Sequence, residues 1–77
     1  MKVLITGYGR MGKLIEETLM AAGDEVVGRI DIDNAADLET MDKVADLIMD
    51  FSNPSLTDQL VAYADRTGTP LLSGTTN

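Results

Sequence analysis

The chain has no cysteine, no histidine and no tryptophan, and only one phenylalanine and two tyrosines among its 77 residues. Without cysteine there is no disulfide and no thiolate metal site. Without histidine there is neither an imidazole base nor the commonest metal ligand. The acidic residues are spread along the chain, without the D-x-D-x-D-G spacing of a calcium loop, so no metal site is expected. Positive charge is also scarce. Six basic residues face thirteen acidic ones, a net charge of −7, which argues against nucleic acid or an anionic membrane as a partner. No apolar run approaches the roughly 20 residues that span a bilayer, and no leader pattern precedes the first strand. A cytoplasmic setting is the expectation. With so few aromatics, the core must be built from Val, Ile, Leu, Met and Ala, in one domain of marginal stability.

What is present is strictly ordered. Lys2–Thr6 is a near-continuous Val-Leu-Ile run, the mark of a strand buried on both faces of a parallel sheet. It feeds directly into Gly7-Tyr8-Gly9-Arg10-Met11-Gly12. Residues 10–22 then read as a helix, with Met11, Leu14, Ile15, Thr18, Leu19 and Ala22 on the inward face and Gly23 as a left-handed cap. A second strand covers 25–32, centred on Val26, Val27 and Ile30. Between 33 and 45 the signal weakens, and Leu38, Met41 and Ala45 fit one face of a short helix or irregular turn. A third strand is expected over 46–51. Ser52-Asn53-Pro54 then starts a helix whose inward face is Leu56, Leu60, Val61 and Ala64, and Gly68 ends it. A fourth strand, 69–73, leads into the loop Gly74-Thr75-Thr76-Asn77.

The alternation of strands and helices predicts an α/β, Rossmann-type doubly wound parallel sheet. About four strands in the order 3-2-1-4, with two to three helices, is the simplest arrangement. A ligand would then lie at the switch point between strands 1 and 4. In G-x-G-x-x-G, Gly7 permits the tight turn, Gly9 lets the backbone approach a pyrophosphate, and Gly12 lets the helix pack on the strand. Asp31 follows about 20 residues on, where a carboxylate accepts from both ribose hydroxyls of an adenosine. Asp33 lies two residues further, and its plainer reading is a solvated turn residue. Two carboxylates repel a 2′-phosphate, and no base follows before Lys43, so NADH is favoured over NADPH. Arg10 and Lys13 oppose the helix macrodipole unless an anion binds there; otherwise they simply reach into solvent. Phe51 is placed to flank a cofactor ring, although Asp50–Pro54 also reads as an ordinary capped helix start. Gly74, Thr75 and Thr76 offer amides and hydroxyls to a nicotinamide, or are merely a loop.

The loop Gly7–Gly12, Asp50-Phe51-Ser52-Asn53-Pro54 and Leu72-Ser73-Gly74-Thr75-Thr76, in this order, resemble the N-terminal domain of the 4-hydroxy-tetrahydrodipicolinate reductase (dihydrodipicolinate reductase) family. The resemblance runs essentially end to end. It implies that Arg10 and Met11 line the cofactor site with the glycines, and that Asp31 holds the ribose. It further implies that Phe51 and Ser52 touch the cofactor and that Gly74, Thr75 and Thr76 reach its nicotinamide end. The implied activity is hydride transfer from NAD(P)H to a cyclic imine or enamine dicarboxylate of the lysine and diaminopimelate pathway, in a homotetramer. Two departures stand out. Asn77 replaces the glycine of the family's G-T-T-G. The family's histidine pair, lysine and S-G-T segment belong to a later domain, so no catalytic residue is expected in 1–77 and this stretch is expected to be inactive alone. A fourth strand left as an edge, with Leu71 and Leu72, predicts self-association. The glycine loop and Asp31 would serve equally in a nucleotide-sensing regulatory module or another Rossmann dehydrogenase, of homoserine or prephenate type.

Overall fold

The computed structural model describes residues 1–52 and 54–73. The chain runs β1 (Lys2–Thr6), α1 (Arg10–Ala21), β2 (Glu25–Ile30), a 3-10 helix (Ile32–Glu39) kinked at Asn34, and β3 (Leu47–Asp50). A short 3-10 turn (Pro54–Leu56), α2 (Thr57–Thr67) and β4 (Leu71–Ser73) complete the described part. All strand pairs are parallel, as the alternating pattern requires.

The strand order is β2-β1-β3-β4, and the expected 3-2-1-4 is not found. β3 pairs with β1, Val3 opposite Leu47 through Thr6 opposite Asp50, instead of lying beyond β2. The physical reason lies in burial. β1 and β3 are the most buried strands, with Val3, Leu4, Ile5 and Ile48 wholly buried. The observed order puts both in the middle of the sheet. β2 carries Glu25, Gly28 and Arg29, which suit an edge, whereas 3-2-1-4 would have placed it centrally. Two bonds fix the start of β3 beside β1: Asp46 N–H donates to the Lys2 carbonyl at 2.8 Å, and Lys2 N–H to the Asp46 carboxylate at 2.9 Å. The switch point therefore falls between β1 and β3, not between strands 1 and 4.

The sheet is covered differently on its two faces. On one face Leu4 and Ile48 pack against Ala35 and Leu38 of the 3-10 helix and against Leu56, Leu60 and Tyr63. Tyr63 is buried because its hydroxyl finds an acceptor, the Asp42 carbonyl at 2.8 Å. Val61, expected inward on α2, is exposed instead. Arg66 donates to the carbonyls of Leu38 and Met41 at 2.9 and 2.7 Å, closing the end of the 3-10 helix. Gly68 ends α2 in the left-handed conformation, as expected.

On the other face α1 lies over β1 and β2. Its buried contact is Gly12, with Ile15, Glu16 and Leu19 half-buried. Met11, Leu14, Thr18 and Ala22, expected inward, are exposed. The helix is rotated by its close approach at Gly12 and by the Arg29–Glu16 ion pair, which draws Glu16 toward β2. Among the described residues, no helix is long and apolar enough to cross a membrane.

Candidate functional site: the glycine loop at the β1–β3 switch point

β1 ends at buried Thr6, and the chain turns at once. Gly7 has φ +77°, a region that disfavours any side chain. Space forbids one as well: a Cβ on Gly7 would stand 2.3 Å from the Ser52 nitrogen and 2.4 Å from the Phe51 carbonyl carbon. The loop thus lies directly on the backbone that follows β3. Gly7 N–H donates to the Ile30 carbonyl at 2.7 Å and Phe51 N–H to the Thr6 carbonyl at 2.8 Å, which ties the ends of β1, β2 and β3 together. A Cβ on Gly12 would meet the Gly7 carbonyl oxygen at 2.9 Å, so α1 also needs a glycine there to start so close to its own loop.

Gly9 differs from both. It is the N-cap of α1 in extended backbone, and nothing lies within 4 Å of where its Cβ would be. No side chain caps this helix end, and its first turn holds no acidic residue. The first-turn amides of Arg10, Met11 and Gly12 have no partner within the helix. Arg10 and Lys13 stand exposed beside them. In a chain of net charge −7, this end concentrates positive potential around open space.

Asp31 follows the last residue of β2 and is exposed. Its carboxylate accepts from Ile32 N–H at 2.8 Å, and its own N–H donates to Asn34 Oδ1 at 2.7 Å. It therefore caps the 3-10 helix as well as standing at the edge of the loop region. Asp33 is exposed nearby. Phe51 is half-buried. Ser52 is buried, with its hydroxyl turned to Asp50. Gly74, Thr75 and Thr76 lie outside the described residues. β4 does pair with β3, Ser73 opposite Asp50, and so leads to the same edge of the sheet.

Three residues here carry more than the sequence disclosed. Arg29 pairs with Glu16 and stands 5.4 Å from the centre of the Tyr8 ring. The bond from Arg29, with Tyr8 adding to it, holds the Glu16 carboxyl below the usual glutamate range. The bond to Glu16 raises Arg29. This cluster anchors Tyr8 of the loop to α1 and β2. Nothing in the spacing of residues 8, 16 and 29 announces it. Asp50 is the third, buried where it receives Thr6 and Ser52. In the sequence it opens the motif Asp50–Pro54, where local spacing shows only a helix start and not the bond to Thr6, 44 positions away.

A groove of about 390 Å³ lies elsewhere, between the 3-10 helix and α2, lined by Leu38, Asp58, Tyr63 and Arg66 among others. No motif residue borders it. No group of three or more acidic residues suited to a metal occurs among the described residues.

The family model described as dihydrodipicolinate reductase, N-terminus, matches residues 1–77. The chain belongs to this family. Among curated relatives, a 4-hydroxy-tetrahydrodipicolinate reductase of Exiguobacterium sp. is 37% identical, over 99% of this chain and 32% of the relative. One from Campylobacter jejuni subsp. jejuni is 44% identical over 88% of this chain and 28% of its own length. A third, from Christiangramia forsetii, is 32% identical over 99% and 31%. The chain thus spans about a third of the length of the curated relatives it matches. Within the matched range, the loop at Gly7–Gly12 and the backbone of Phe51 and Ser52 after β3 are in contact, and Asp31 follows the end of β2, whose Ile30 carbonyl accepts from Gly7 N–H.

Proposed function

We propose that residues 1–77 form a dinucleotide-binding unit, and that NADH or NADPH lies across the carboxyl ends of β1 and β3. The observation that carries this is Gly9: an uncapped helix start with open space where any other residue would place a side chain. A pyrophosphate fits there, accepting from the first-turn amides of Arg10, Met11 and Gly12, with Arg10 and Lys13 adding charge. Asp31 takes the adenosine ribose through the oxygen positions its cap leaves available. Phe51 flanks a cofactor ring, Ser52 touches the cofactor beside it, and Gly74, Thr75 and Thr76 serve the nicotinamide end.

In the complete reductase the bound cofactor supplies hydride, here to a cyclic imine or enamine dicarboxylate of lysine and diaminopimelate biosynthesis. This chain's residues position that cofactor and shape the field around it. Having no histidine, they offer no imidazole as proton donor. A reductase assay on the 77 residues accordingly gives no turnover. A cytoplasmic setting suits such an enzyme, and the family relationship suits a homotetramer.

NADH is the preferred form. Asp31 and Asp33 both stand exposed beyond β2, and Arg29 is held by Glu16 and Tyr8. At about 4 Å in water each carboxylate opposes a 2′-phosphate charge by ~1 kcal/mol, so together they favour NADH over NADPH by roughly thirtyfold. Calorimetric titration with both cofactors tests this, alongside Asp31→Ala. Losing a charged acceptor weakens NADH by about tenfold or more. The variant also loses a helix cap, worth ~1 kcal/mol of stability. Affinity that ignores Asp31 contradicts the ribose assignment.

A further inference from the structure

We propose that Asp50 positions the glycine loop for its ligand, acting through Ser52 and Thr6 without touching the cofactor. The proposal rests on the dinucleotide reading above. Asp50 closes β3 at the carboxyl edge of the sheet and is only 5% exposed. A carboxylate removed from water this far is costly unless hydrogen bonds compensate it. Here a single oxygen, Oδ1, accepts three: from Thr6 Oγ1 at 2.8 Å, from Ser52 N–H at 2.8 Å, and from the Ser52 hydroxyl.

The donors come from the two sides of the switch point. Thr6 is the last residue of β1 and Gly7 follows it; Ser52 stands just beyond β3. All three residues are buried, Thr6 completely. Asp50 therefore holds the end of β1 and the turn after β3 in one fixed relation. Gly7 rests on that turn with no room to spare, since a Cβ would stand 2.3 Å from the Ser52 nitrogen. The main chain of Ser52 is the floor of the glycine loop, and Asp50 fixes its height. A site built from backbone amides must hold their positions to about 0.5 Å to bind well. Freeing Ser52 displaces Gly7, and through it the amides that begin α1. The negative charge does not itself help an anionic ligand, so the function of Asp50 is the convergence of donors on one acceptor.

The test separates affinity from stability. NADH affinity is measured by calorimetry for the wild-type chain, Asp50→Ala and Asp50→Asn, at a temperature where circular dichroism shows each variant fully folded. The expected result is a loss of about tenfold or more for Asp50→Ala, and less than about threefold for Asp50→Asn, which keeps an acceptor oxygen. Folded Asp50→Ala binding NADH like the wild type overturns the proposal, because a purely structural role lowers Tm and leaves affinity unchanged. Should Asp50→Ala fail to fold, Thr6→Val removes one donor at a residue outside the cofactor contacts. About threefold weakening supports the proposal, and unchanged affinity overturns it. A wild-type chain that binds neither NADH nor NADPH overturns the cofactor reading itself, a result distinguishable from the others.

Discussion

Gly7, Gly9 and Gly12 occupy one motif and do three different things. Gly7 is needed by the fold: its φ of +77° and the backbone 2.3 Å from its missing Cβ would make Gly7→Ala cost about 2–5 kcal/mol. Gly12 is needed by α1, whose first turn sits against the Gly7 carbonyl. The backbone of Gly9 suits any residue, and the space beside it is open. Gly9→Ala should therefore change Tm little, because the ~0.5–1 kcal/mol gained by an unstrained Gly→Ala exchange is offset by a loss of about the same size from placing Ala at the N-cap. It should nonetheless weaken NADH by about tenfold or more, because the methyl fills the approach to the pyrophosphate. Thermal melts and a titration on one preparation check both halves. A Gly9→Ala variant with wild-type affinity would mean that the open space is not where a ligand lies.

At the scale of elements, the Arg29–Glu16 pair joins β2 to α1. Glu16 has a folded pKa below its ordinary value of about 4.3. The stabilisation is present above that ordinary value and is lost as pH falls through the lower folded one. Arg29, raised by the same pair, keeps its charge throughout this range. Glu16→Gln should melt below the wild type at pH 7, and the two curves should converge as pH falls below the ordinary glutamate range. A constant difference across that window would assign the effect to packing rather than charge. Elements themselves were largely legible in the sequence. The Val-Leu-Ile run of β1, the glycine after each helix and the weak signal at 33–45 all correspond to observed structure. Their rotation and neighbours were not. Apolar spacing fits Met11 and Leu14 to an inward face, yet the contact is set by a glycine, which spacing of apolar residues ignores. Val61 and Tyr63 trade places for a similar reason, since the Asp42 carbonyl that satisfies the Tyr63 hydroxyl is 21 positions away. Strand order depends on which strand tolerates an edge, and adjacency in sequence favours the wrong one. Of the proposed site, the glycines and Asp31 belong to local motifs, so their positions in the fold follow from the sequence alone. Asp50, Arg29 and Glu16 act through partners distant in sequence, which a motif does not contain.

Among the described residues the sheet ends in two edges, β2 and β4, and one face is incompletely covered. α1 lies over β1 and β2, while Leu72 of β4 is 53% exposed and Met11 and Leu14 project from the helix. Parallel sheets are ordinarily covered on both faces. We propose that the 77 residues alone self-associate through the β4 edge. Light scattering should show species larger than a monomer, and Leu72→Lys should raise the concentration needed by about tenfold. A strict monomer with exchange-protected amides at 71–73 would count against this.

Whether the glycine loop and the turn after β3 form one dinucleotide site is decided by titrating the ¹⁵N-labelled chain with NADH and following every backbone amide. The largest shifts should fall on Gly7 to Lys13, on Asp31 and on Phe51 and Ser52, at the carboxyl ends of β1, β2 and β3. Shifts confined to Leu38, Asp58, Tyr63 and Arg66, around the groove on the opposite face, would contradict such a site.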